Sequence, residues 1–142
     1  MSKPEIVCLC GSTRFPDAFR KATRDLTLEG KIVLSVGFFG HDPSEAGALT
    51  EEVKKGLDEL HFRKIDLADW CLFLNVDGYL GDSSRREIAY SIFAKKKKIE
   101  FLNPESGEIY MEKNAHDIGR MVASFMEGQV PSIGDSLTIK KL

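Results

Sequence analysis

The chain alternates short, continuously apolar runs with longer stretches whose apolar residues recur every three or four positions. Glu5–Cys10 is the first such run; it stops at Gly11 and reads as a buried strand. Pro16 opens a predicted helix with Phe15, Phe19, Ala22 and Leu26 at helical spacing, and Gly30 closes it. Lys31–Val36 predicts a second strand, and Phe38–Ala48, which carries Gly40, His41, Pro43 and Gly47, predicts a loop. Leu49, Val53, Leu57 and Leu60 predict the apolar face of a longer helix running toward Asp66. Trp70–Val76 is nearly all apolar, which predicts a third strand buried on both faces. Asp77–Ser84 is polar and bears glycine; a helix with Ile88, Ala89, Ile92 and Phe93 on one side follows, ended by Lys95–Lys98. Cations are favoured at a helix C-terminus, so that lysine run predicts a solvated helix end rather than a nucleic-acid patch. Ile99–Leu102 predicts a fourth strand, Ile109–Met111 a short fifth, and Ile118, Met121, Val122 and Phe125 a last helix. From Gln129 onward hydrophobic residues thin out, which predicts a tail over 129–142 that crosses the surface or a partner subunit.

Strands alternating with helices predict a single domain over 1–142, an α/β three-layer sandwich around a mostly parallel, Rossmann-like sheet of four to five strands. In such sheets ligands bind beyond the carboxyl ends of the strands, where chain order reverses. Two loops therefore become candidates: Gly11–Phe15 after the first strand and Asp77–Glu87 after the third.

Composition narrows the partners. A chain of 142 residues, 42% hydrophobic and 30% charged, fits one ordinary globular core. A net charge of −2 gives no field that would gather a nucleic-acid polymer or an anionic membrane. No apolar run approaches the roughly 20 residues that span a bilayer, and the N-terminus lacks a signal-peptide pattern. Cys8, Cys10 and Cys71 lie in strand-like runs without Cys-x-x-Cys spacing, and read as small buried hydrophobes of a reduced, cytoplasmic protein. His41 and His116 have no carboxylate or cysteine at ligand spacing, so the sequence predicts no metal site.

Two segments carry candidate chemistry. Gly11-Ser12-Thr13-Arg14 joins a strand to a helix: glycine admits a ligand to the backbone, the hydroxyls and helix N-terminus donate, and Arg14 adds charge. That is a phosphate cradle, or else a capping turn, since Ser and Thr cap helices well. Ser84-Arg85-Arg86-Glu87 matches a capping box, with Glu87 reaching back to the N-cap amide. The same placement puts a carboxylate at a helix N-terminus, where the dipole favours the ionised, nucleophilic form. Tyr79 with Phe38 or Phe39 would be placed to sandwich a base.

Ala68-Asp69 at the third strand's entry, Glu87-Ile88-Ala89-Tyr90 after the glycine-bearing loop, and Lys98-Ile99 together resemble the signature of the nucleoside 2-deoxyribosyltransferase-like family. Cys10-Gly11-Ser12-Thr13-Arg14 resembles the phosphate-holding turn of its branch that cleaves nucleoside 5′-monophosphates. The matched order runs from about residue 5 to residue 102. The resemblance implies that Glu87 attacks the anomeric carbon and that Gly11, Ser12, Thr13, Arg14 and Ser83 or Ser84 hold a 5′-phosphate. It further implies that no cofactor is required and that the chain forms a homodimer or larger homo-oligomer. Where the family carries a catalytic aspartate, eight residues before Asp69, this chain has His61. Histidine titrates near neutrality and would serve as the acid for the departing base, or else is a helix residue packed near the strand ends, with Asp58 and Asp66 as neighbours able to substitute. Asp69 matches a family position that looks structural.

The expected activity is therefore cleavage or transfer at the N-glycosidic bond of a small-molecule nucleoside or nucleotide. The rival expectations are a non-catalytic nucleotide-binding or sensor module and a glycohydrolase acting on NAD.

Overall fold

A computed structural model describes residues 2–40, 44, 47, 49–76, 81–107 and the backbone of 109–110. Five strands, β1 (Ile6–Cys10), β2 (Ile32–Leu34), β3 (Trp70–Leu74), β4 (Lys98–Leu102) and β5 (Ile109–Tyr110), form one sheet in the order β2-β1-β3-β4-β5. The first four are parallel, and β5 runs antiparallel to β4. Among the described residues three α-helices accompany them: α1 (Pro16–Leu28), α2 (Glu51–Leu67) and α3 (Asp82–Ala89), the last continuing into a π-helical turn over Tyr90–Ala94. None of the described helices is long and apolar enough to cross a membrane.

The apolar runs are continuous because the sheet is covered on both sides. Val7, Leu9, Trp70, Leu72 and Leu74 pack on one face with Phe19, Ala22 and Leu26 of α1. Cys8, Cys10, Cys71, Phe73, Ile99 and Phe101 pack on the other with Ile65 of α2 and Ile88 of α3. The result is the three-layer α/β sandwich that the alternation predicts. Side chains two apart on a strand share a face, and this rule sends both Cys8 and Cys10 toward α2.

The second helix departs from its predicted face. Its buried residues are His61 and Ile65, whereas Val53 is 41% and Leu60 49% exposed. The Leu49-Val53-Leu57-Leu60 stripe does not enter the core; Leu49, Leu57 and Leu60 instead edge a cleft. Thr50 caps this helix, its Oγ1 accepting from the Val53 amide at 3.1 Å. At its other end Lys97 Nζ donates to the carbonyl oxygens of Asp66 and Ala68 at 3.2 and 2.6 Å. The lysine run thus does neutralise a helix C-terminus, but for α2 it is Lys97 that reaches across rather than a local, wholly solvated end.

Chain order reverses between β1 and β3: β2 lies to one side of β1, and the crossover through α2 returns to the other. The predicted last helix, the 129–142 tail, His41, Tyr79 and His116 lie outside the described residues.

Candidate functional site

At that reversal a cleft of about 380 Å³ opens. Its walls come from the turn after β1 (Gly11, Ser12, Thr13, Arg14), one side of α2 (Lys54, Asp58, His61, Lys64) and the start of α3 (Ser83, Ser84, Arg86, Glu87). Gly11, Ser12, Thr13, Arg14, Ser83, Ser84, His61 and Glu87, the phosphate and catalytic candidates of the sequence, therefore border one cavity.

Gly11 makes the turn after β1 possible. Its φ of +147° is rarely adopted by L-residues, and a Cβ there would sit 3.1 Å from Leu74 Cβ and 3.2 Å from the Leu74 carbonyl oxygen. Ser12 Oγ accepts from the Arg14 amide at 3.2 Å, and the Ser12 carbonyl accepts from the Phe15 amide at 3.2 Å. The capping explanation for Ser12 and Thr13 does not hold, because the N-cap of α1 is Phe15, without a side-chain cap bond.

The capping box after β3 fails as well. Gly81 is the N-cap of α3, Ser84 lies inside the first turn, and no side chain caps this end. Glu87 falls in the second turn, 92% buried, and its Oε1 has no hydrogen-bond partner. The helix dipole fades beyond the first turn, so it does not favour ionisation here as the sequence suggested. Burial, reinforced by Asp58 against a smaller opposing pull from Arg86, instead raises the Glu87 carboxyl from 4.5 to about 8.

His61 is likewise buried. Its Nε2 lies 3.3 Å from Cys10 Sγ, 3.7 Å from Cys8 Sγ and 3.8 Å from Glu87 Oε1. Burial, and secondarily the Lys64 charge, lowers its pKa from 6.5 to about 4. The approach to Glu87 is therefore no ion pair at neutral pH: the imidazole is neutral and the carboxyl holds its proton. This depression runs against an imidazolium that titrates near 6.5 as the acid for a departing base. Of the two substitute acids, Asp58 borders the cleft, with Lys54 Nζ at 3.1 Å and Arg86 at 3.9 Å. Asp66 does not border it; it accepts from the Tyr90 hydroxyl and pairs with Arg63 and Lys95. Asp69 is structural, accepting from the Ile6 amide at 2.8 Å.

Sequence reasoning passed over Lys54, Lys64 and Arg86. Together with Arg14 they give the cleft four cations, against Asp58, Asp82 and a protonated Glu87. Lys64 is also tied to the Ser35 carbonyl at 2.6 Å, whereas Lys54 reaches Ser83 Oγ at 3.5 Å. The signal was present as a polar stripe, Lys54-Asp58-His61-Lys64, at helical spacing on α2. Sequence reasoning also missed that Cys8, Cys10 and His61 meet. Comparison of the chain with family models, curated proteins and solved structures finds no match.

Proposed function

We propose that the chain cleaves or transfers at the N-glycosidic bond of a nucleoside or nucleoside 5′-monophosphate, with Glu87 as nucleophile. The observation that carries this reading is Glu87 itself: a buried carboxyl with an unpartnered oxygen, on the wall of a cleft edged by hydroxyls and cations. A cleft with more cations than ionised acids favours an anionic ligand, and the Gly11–Arg14 turn with Ser83 and Ser84 offers donors for a phosphate.

In the ionised form Glu87 attacks C1′ as the bond to the base breaks, through an oxocarbenium-like transition state. The electron pair of that bond leaves with the base, which takes up a proton from a water in the cleft; Asp58, on the cleft wall, is placed to orient that water. Water or an acceptor base then displaces Glu87 from the glycosyl ester, so configuration at C1′ is retained. Lys54 and Arg86 steady Asp58, and the burial of His61 makes it a positioning residue for Glu87. No cofactor enters these steps, and homo-oligomer formation belongs to the same proposal.

One observation favours a second reading, a nucleotide-binding module without turnover. A carboxyl raised to about 8 is mostly protonated at neutral pH, and a protonated carboxyl is not a nucleophile. A panel of nucleosides, 5′-monophosphates and NAD, incubated with the protein and read by chromatography for free base, separates the two. Base release from a nucleoside or 5′-monophosphate supports the enzyme. Tight binding with no release from any compound supports the module, and release from NAD alone moves the substrate to a dinucleotide.

A further inference from the structure

Behind the cleft wall three soft donors converge. Cys8 and Cys10 leave β1 on the same face, and α2 lays His61 over them. The Cys8 and Cys10 sulfurs are 3.8 Å apart, and His61 Nε2 lies 3.7 Å from the first and 3.3 Å from the second. All three residues are buried, with their ligand atoms within 4.8 Å of one another. As hydrogen bonds these contacts are poor, because a thiol is a weak donor and a weak acceptor. As edges of a coordination polyhedron they are close to ideal. With Zn–S near 2.3 Å and Zn–N near 2.0–2.1 Å, a tetrahedral site spaces two sulfurs ~3.8 Å apart and sulfur from nitrogen ~3.5 Å.

A second observation points into the same space. Glu87 Oε1 is buried without a hydrogen-bond partner, 3.8 Å from the same imidazole nitrogen. Nitrogen and carboxylate oxygen bound to one tetrahedral zinc are about 3.4 Å apart, so a small side-chain adjustment brings Glu87 into the shell. Cys71, paired with Cys8 across the sheet, is outside the group of three.

We propose that Cys8, Cys10 and His61 form a site for one thiophilic divalent cation of the zinc type, with Glu87 closing it as fourth ligand. Two sulfurs, one imidazole nitrogen and one carboxylate oxygen form a donor set that suits zinc. Uptake releases the thiol and carboxyl protons to solvent. The cation enters from the cleft, which both His61 and Glu87 border. Because it occupies the oxygen needed for attack on C1′, the metal-loaded protein is a silenced form of the site, a consequence that rests on the nucleophile reading above.

The test is a cobalt titration of the reduced wild-type protein, followed by absorption. The site predicts a thiolate-to-cobalt charge-transfer band and tetrahedral d–d bands that saturate at one equivalent and vanish on addition of zinc. Loss of an outer-shell partner already costs about 10–100-fold in metal affinity, so Cys10→Ala should weaken cobalt by more than about a hundredfold and Glu87→Gln by about tenfold or more. Cys71→Ala, which removes a contact to both ligand thiols but no ligand, should keep the thiolate band and cost no more than about 10–100-fold. Wild-type protein that shows no thiolate band with excess cobalt overturns the site, however the variants fold. Glu87→Gln binding as tightly as wild type, or Cys71→Ala losing more affinity than Glu87→Gln, overturns the carboxylate as fourth ligand. Cobalt is read without substrate, so either failure is distinct from a failure of base release.

Discussion

Replacing Glu87 by glutamine should stabilise the protein above neutral pH. The side chain keeps its shape but can no longer ionise. In the unfolded chain the carboxyl ionises near 4.5, whereas in the fold it holds its proton to about 8. A raised pKa contributes stability that is complete below the unfolded value and lost as pH rises through the folded one. His61 acts in the opposite sense: unfolded it charges below 6.5, and folded it stays neutral to about 4, so its penalty grows as pH falls. Between 4.5 and 6.5 the two slopes cancel. Above 6.5 the His61 slope ends, and at about 1.4 kcal/mol per tenfold change the wild type should lose about 2 kcal/mol relative to the glutamine variant by pH 8. Over the whole span from 4.5 to 8 the difference between variant and wild type should change by at most about 5 kcal/mol, an upper figure because water following the ionised carboxylate softens the penalty. Urea denaturation of both proteins at half-unit pH steps measures this directly. Parallel stability curves above pH 6.5 would refute the buried, protonated Glu87 on which the account rests.

Other outcomes follow from the cleft. Arg14→Ala should weaken a 5′-monophosphate by about 1.5–3 kcal/mol, the worth of a charge-assisted hydrogen bond, and the matching nucleoside much less; equal losses by calorimetry would make the turn purely structural. Gly11→Ala should cost about 1–3 kcal/mol of stability, since it combines a strained φ with a 3.1 Å contact to Leu74; an unchanged denaturation midpoint would contradict that geometry. His61→Asn should leave the shape of any pH–rate profile between 5 and 8 unaltered, because the imidazole does not titrate there; loss of a limb near 6.5 would restore it as the acid.

Much of the sheet was legible because burial on both faces writes continuous apolar runs into β1 and β3, and the switch point follows from their order. The Gly11 turn was legible for a related reason, since only glycine suits its backbone. What misled were local patterns with two physical solutions. Ser84-x-x-Glu87 has the spacing of a capping box, yet the helix starts earlier, at Asp82, and the carboxyl turns inward. Helix α2 carries two stripes, and the leucine-rich one looked like the core face. Its leucines edge the cleft instead, and burial fell to His61 and Ile65. The meeting of Cys8, Cys10 and His61 could not be read at all, because it depends on how α2 crosses β1. The depressed His61 and the raised Glu87 are consequences of that same packing.

The most direct test of the central claim is base release from the best substrate of the panel, measured from pH 5 to 9 for wild type and Glu87→Gln. The account predicts that wild-type kcat/KM rises with pH through about 8, where the carboxyl ionises. It also predicts that the glutamine variant loses at least about a hundredfold in turnover, the scale of an essential catalytic group. A glutamine variant that releases base at close to the wild-type rate, with the same pH profile, would contradict it.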